Sequence, residues 1–330
     1  MEASRYFAAC ISVLAAGTTL AQAPTGGSAT TYPVRPVRIV APQSAGSGID
    51  LSTRAMAQKL TEEWGQQVIV DNRPGANGIL GVNQVAKAKP DGYTLLTSFA
   101  SVLVINPHVY KTLPYDTLRD FSPIMQTVAA NMGLLVHPKL PARSVKELIA
   151  LAKARPGELM YASNGVGNMT HLAAELFAME TGLKLLHVPY KGATPAIQDL
   201  IGGQVALLIA NTTGVEAHVE SGRLRLLALC SEKRSSAHPD TPTMVESGYP
   251  AVVLTAWGGF LAPAGTPQEI IAKVHRDTAR VLQQPELRER LSVIGNEITV
   301  STPEEFGAFL KSELEKWGRV VTRTGIEHSQ

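Results

Sequence analysis

Cysteine is nearly absent. Cys10 and Cys230 are the only two in 330 residues, and Cys10 falls in an N-terminal apolar run that reads as a removable leader. The mature chain then holds one thiol and no internal disulfide, so its stability has to come from packing. Cys230 closes the apolar run 224–230 and reads as a small buried hydrophobe. An excess of one charge is missing too: 30 Lys and Arg stand against 28 Asp and Glu, for a net charge of +2. Aromatics make up 5% of the chain and are not interleaved with a basic tract, so the footprint of a nucleic-acid binder is lacking. Past the leader there is no second long apolar run, and the mature protein is expected to be soluble.

Signatures of chemistry are scarce as well. The eight histidines are scattered without metal-ligand spacing. HExxH, the Walker lysine loop and GxSxG do not occur. Gly46-Ser47-Gly48 begins like a dinucleotide fingerprint but fails at its third glycine, where Leu51 stands. A serine hydrolase assembled from distant residues stays open, because such triads are geometric rather than sequential.

What is present begins with the leader. Arg5 precedes the apolar run 6–20, too short to span a bilayer, and small residues follow, so residues 1–21 read as a secretory signal peptide. Cleavage is expected after Ala21, since Pro24 would obstruct a cut after Ala23. Residues 22–32, rich in Gly, Thr and Pro, read as a flexible lead. The hydrophobic share, 45%, is ample for a core, and the length suggests about two domains of roughly 150 residues.

The stretch VRIVAPQSAGSGIDLSTRAMAQKL, 37–60, reads as a strand, a turn rich in Gly and Ser, and an amphipathic helix. A helix N-terminus presents unpaired N–H groups and the positive end of the dipole, which suits an anion. A strand at 67–70, a helix after the turn 72–78 and a strand at 93–97 follow. This alternation predicts a parallel sheet with helices on both faces. After an irregular section punctuated by Pro107, Pro114 and Pro123, a strand resumes at 133–136. Ser144 with Glu147 reads as a capping box for a helix over 145–154. Strand 159–162, loop SNGVGN and helix 169–181 repeat the opening architecture, so two similar α/β halves are expected. Thr194 reads as the N-cap of the next helix, a long helix runs from Pro267 to about 283, and Thr302 with Glu305 caps the last helix. His171 reads first as structural, donating to a neighbouring carbonyl, and Lys191 as surface or anion-pairing.

The chain closely resembles the Bug family, the solute receptors of tripartite tricarboxylate transporters. The matching phrases are YPVRPVRIVAP with Gly46 and Asp50, VDNRPGANG, AKPDGYTLL, INPHVYKTLPYD, SVKELIALAKARPGELMYAS, THLAAELF, HVPYKGATPAIQDLIGGQV, SGRLRLLAL and FLAPAGTP. The resemblance implies a two-lobed α/β periplasmic binding protein of the type II-like kind, each lobe a mainly parallel sheet flanked by helices, with two crossovers between lobes. It implies lobes of 33–128 plus 256–330, and 129–255, with the ligand between them. It also implies a receptor without enzymatic activity, cofactor or metal, monomeric and periplasmic, which hands a small organic carboxylate to the membrane components of its transporter.

Ligand contacts carried over from the family fall on Pro42, Gln43, Ser44, Ala45 and Ser47; on Asn77; on Ser98, Phe99 and Ala100; on Ser163, Asn164, Gly165, Gly167, Asn168, Thr170 and His171; on Tyr190 and Lys191; and on Ala210 and Asn211. Family members often carry Phe in place of Gln43, Thr in place of Ile49 and Asp in place of Ala210. Loss of that aspartate disfavours an amino-acid ligand and leaves a di- or tricarboxylate or an aromatic acid. A sensory binding protein that signals through a membrane kinase uses the same lobes, and an exported hydrolase is the rival from another class.

Overall fold

The computed structural model describes residues 32–326 apart from 213, 214, 236, 237 and 294. The expected signal peptide lies outside these residues, and so does the flexible lead except for Tyr32. That residue is buried, not flexible. Its hydroxyl donates to the Gly92 carbonyl at 2.7 Å, and its ring meets Tyr93 and Trp64 edge-on at 5.1 and 6.0 Å. The Gly, Thr and Pro before it hid its place at the start of the packed body.

The first half alternates as expected. Strand β1 (Val37–Ala41) leads to helix α1 (Gly48–Trp64), then β2 (Val68–Asn72), a 3-10 turn (Ala76–Gly78), α2 (Ile79–Ala86) and β3 (Thr94–Phe99). β1 pairs in parallel with β2 and β3. Gly65 stops α1 in the left-handed conformation that glycine adopts at least cost. The section after β3 is more regular than its prolines suggest: a π-helical turn (Ser101–Ile105), a short α3 (Asn106–Val109), and then one strand, β4 (Phe121–Val136), of 16 residues. Pro123 sits near the start of β4, where the pairing register shifts between Pro123 and Met125, so its missing N–H interrupts no regular ladder.

The second half contains α4 (Val145–Ala154), β5 (Met160–Ser163), α5 (Met169–Thr181), β6 (Leu186–Pro189), α6 (Ala193–Gly202), β7 (Leu207–Asn211), α7 (Glu216–Glu220) and β8 (Arg225–Leu229). A 3-10 turn (Pro250–Val252) leads into β9 (Thr255–Pro263). Then come α8 (Gln268–Leu282), α9 (Pro285–Val293), β10 (Glu297–Ile298) and α10 (Pro303–Thr324). Thr302 and Glu305 form the expected reciprocal capping box. At α4 the box is displaced: Ser144 accepts from Glu147 N–H, but the Glu147 carboxylate takes the N–H of Arg143. Helix α6 starts one residue before Thr194, after Gly192 at φ +116°.

Two sheets share β4. The first has the order β2-β1-β3-β9-β4, with β10 on the far side of β4; the second has β4-β7-β5-β6, with β8 beside β4. The strands of the βα units pair in parallel. β9, β10 and β8 run antiparallel to β4, and β4 meets β7 antiparallel. Chain passage between sheets occurs inside β4 and again just before β9, where Leu254 N–H donates to Cys230 O at 2.8 Å and Cys230 N–H to Met132 O at 2.7 Å. A cluster of buried side chains joins the two halves along one side, from Val40 and Leu96 through the π-turn to Phe177 on α5 and Trp317 on α10.

Candidate functional site

Pairing register fixes where the loops fall. β1 and β3 run in parallel with Val40 opposite Leu96, so β3 extends two residues past the end of β1, and Phe99 at the end of β3 lies opposite Gly258 of β9, itself opposite Val128 of β4. In the second sheet Asn211 at the end of β7 pairs with Met132 of β4. The carboxyl edges of the two sheets therefore face each other across residues 129–131, a span of about 13 Å at 3.3 Å per residue. Ligands of open α/β sheets bind outside the carboxyl ends of strands.

The first edge carries loop 42–47. Ser47 caps α1, its hydroxyl accepting from Asp50 N–H at 3.4 Å. Asp50 is 1% exposed, and its carboxylate accepts from Gly46 N–H at 2.8 Å, Asn72 Nδ2 at 2.8 Å and Arg54 Nε at 3.0 Å. Burial works to raise the pKa of this carboxyl; the three donors outweigh burial and hold it below the usual range. Asn72 also donates to the Gln43 carbonyl at 3.1 Å, so one amide fastens both ends of the loop. Beside it, Ile49 packs so tightly on Gly258 that a Cβ there would lie 2.3 Å from its Cδ1. Thr53 and Thr97 share a hydrogen bond of 2.9 Å that ties α1 to β3.

The second edge carries loop 163–168. Asn168 caps α5 and accepts from Thr170 N–H at 3.1 Å, while the Thr170 hydroxyl accepts from Asn164 N–H at 2.8 Å. Beneath the loop the rings of Tyr161, His187 and His171 form a stack, with the two imidazoles 3.9 Å apart and 11° from parallel. His187 Nε2 meets Ser163 Oγ at 2.6 Å, and His171 Nδ1 accepts from Gly167 N–H at 3.1 Å. Burial, and then the neighbouring His187, push the His171 pKa down to about 4; burial also lowers that of His187. The loop reaches the first half: Met169 N–H donates to Ser101 Oγ at 3.3 Å, and Gly167 abuts Val109.

The residues singled out in the sequence divide into three groups. Gln43, Ser98 and Asn164 each hold a buried polar atom (Nε2, Oγ and Oδ1) with no partner among the described residues. Ser44, Ala45, Lys191 and Asn211 are exposed at the two edges. The others are at least partly occupied internally. Asn77 exchanges hydrogen bonds with Asn106, and Tyr190 OH donates to Asp199 at 2.6 Å. Ser163 Oγ is taken by His187 and the Gly165 backbone, and His171 by Gly167. The His171 Nδ1 thus accepts from a backbone N–H rather than donating to a carbonyl. Pro42 and Ala100 are packed beside the loops, and Ala210 lies opposite Gly133.

Asp50, Asn72 and His187 were not singled out as site residues. Asp50 stands in the sequence only as part of a matching phrase, and its link to Asn72 joins positions that no motif connects. No Lys or Arg occurs within 42–49, 97–100 or 163–170, so an anion at these segments meets N–H and hydroxyl groups, and Lys191 is the one cation among the candidate contacts.

Residues 52–326 match the model of the tripartite tricarboxylate transporter family receptor. The chain is 39% identical over 301 residues to Protein BugT of Bordetella pertussis, covering 91% of this chain and 92% of that one. The structure of the periplasmic binding protein BugD superposes with a TM-score of 0.81 at 34% identity, over 90% of this chain and 99% of that one. Rpa4515 of R. palustris, solved with adipate, gives a TM-score of 0.84 at 34% identity over the same shares of the two chains.

Proposed function

This chain belongs to the tripartite tricarboxylate transporter receptor family, and from that premise we propose that it is a periplasmic solute receptor, exported by its signal peptide. It binds a small organic carboxylate between two lobes, 33–128 plus 256–330 and 129–255, and as a monomer delivers it to the membrane components of its transporter. One observation carries this reading: Gln43 and Asn164, on loops at two facing sheet edges, and Ser98, near the end of β3, each bury an unpartnered polar atom. Buried polar groups are otherwise almost always paired. The adipate held by Rpa4515 supports a carboxylate ligand, a di- or tricarboxylate or an aromatic acid.

The site gains affinity without a cationic clamp. A hydrogen bond to a charged group contributes about 1.5–3 kcal/mol, so four of them supply about 6–12 kcal/mol, a range that contains the roughly 8 kcal/mol of micromolar binding before ordering costs. The N-termini of α1 and α5 add about 0.3–1 kcal/mol each. Closure excludes water and strengthens every such bond. The Ser163–His187 contact is a support for the loop, not a nucleophile and its base. Ser163 is 0% exposed, and its hydroxyl is shared with the Gly165 N–H and carbonyl.

A thermal-shift screen with succinate, malate, adipate, citrate and benzoate tests the proposal. A cognate ligand at a hundred times its Kd stabilises the folded state by about 2.7 kcal/mol. A flat response to all five, with turnover of ester substrates, would overturn it.

A further inference from the structure

A cavity of about 300 Å³ lies where α10 crosses α5 and the 3-10 turn that precedes β9, and it shares no residue with the ligand loops. Its floor is apolar, formed by Leu176 of α5 with Val253 and Leu254 of the connection. Its rim is cationic: Lys316, Arg319 and Arg323 recur at helical spacing and share one face of α10. Two of these cations are balanced, Lys316 by Glu313 and Arg323 by Glu180, each at 2.7 Å. Arg319 is exposed and forms no ion pair among the described residues. The rim therefore carries one uncompensated positive charge above an apolar floor.

We propose that this cavity is a second ligand site, which takes an organic monocarboxylate with an apolar body. The volume equals the share of about ten waters and meets the lower bound of small-molecule pockets, so it suits a body of roughly ten heavy atoms. A dianion or a sugar fits poorly: the first exceeds the single free charge, and the second finds no partners on the floor. Position gives the site a route to the main one. Val253 and Leu254 immediately precede β9, and Glu313, the partner of Lys316, also accepts from Trp257 Nε1 of β9 at 3.2 Å and from Trp317 Nε1 at 3.1 Å.

Octanoate is the probe, titrated into protein with ¹³C-labelled Leu and Val methyl groups. Saturable shifts are expected at Leu176, Val253 and Leu254, with the apparent Kd raised at least tenfold in Arg319→Glu and for octanol in place of octanoate. Arg319 is exposed and unpaired, so this variant folds, and its methyl spectrum verifies that. Shifts that are missing, confined to cleft-loop methyls such as Val166, or insensitive to Arg319→Glu would overturn the proposal. So would equal affinity for octanol. Because the readout lies outside the cleft, it is independent of whether the main site takes a dicarboxylate.

Discussion

Acidification should loosen this protein through the imidazole stack under loop 163–168. His171 is 6% exposed, and its pKa is pushed down to about 4, by burial first and by His187 second. A base whose folded pKa lies below its unfolded value near 6.5 contributes stability that is complete above about pH 6.5 and is lost as the pH falls towards 4. Within that window the loss is about 1.4 kcal/mol per pH unit, which integrates to about 2 kcal/mol between pH 8 and pH 5. His187 moves in the same direction and adds to it. Geometry explains the sensitivity: a proton on His171 Nδ1 would point at the Gly167 N–H that this nitrogen now accepts. Urea unfolding at pH 8 and pH 5 measures the effect. In His171→Asn the amide oxygen can still accept from Gly167 but nothing titrates, so this variant should lose about 2 kcal/mol less than wild type on acidification. Carboxylates titrate alike in both proteins and cancel. Parallel pH curves for the two would refute the reasoning.

Three further outcomes are expected. Gln43→Ala removes one unpartnered donor from the cleft and should weaken ligand binding roughly five- to thirtyfold, the equivalent of about 1–2 kcal/mol, with the melting temperature of the empty protein nearly unchanged; calorimetry and a melting scan check this. Asp50→Asn sets an amide against Gly46 N–H, Arg54 and Asn72, and should cost about 2 kcal/mol of stability as well as affinity, read by denaturation and titration. Thr302→Ala removes the α10 cap and should cost about 1 kcal/mol in the same denaturation assay while leaving the ligand Kd unchanged.

Much of this fold was legible because local rules and tertiary structure agree. Gly and Ser after an apolar run marked the two strand-to-helix turns, and Thr302 with Glu305 marked α10. β4 was less visible, since Pro123 reads as a strand breaker unless a register shift accommodates it, and such a shift depends on β9, more than 130 residues away. α9 escaped notice because only Leu287 and Leu291 anchor it in an otherwise polar stretch. The site divides in the same way. Loop residues were found from their glycines and their resemblance to a family, whereas the work of Asp50, Asn72 and His187 lies in pairs joined only in space.

The strand order of the first sheet has a consequence for how the chain reaches its final form. β9 lies between β3 and β4, both complete by residue 136, yet β9 itself begins at Thr255. A chain emerging N-terminus first, from a ribosome or across a membrane, carries two open edges for the length of more than a hundred residues. Exposed strand edges invite pairing with other chains. The gap in the second sheet is shorter: β7 inserts between β4 and β5, but its strands all fall between 121 and 229. The first sheet can therefore close only when the late-arriving strand slides into its slot.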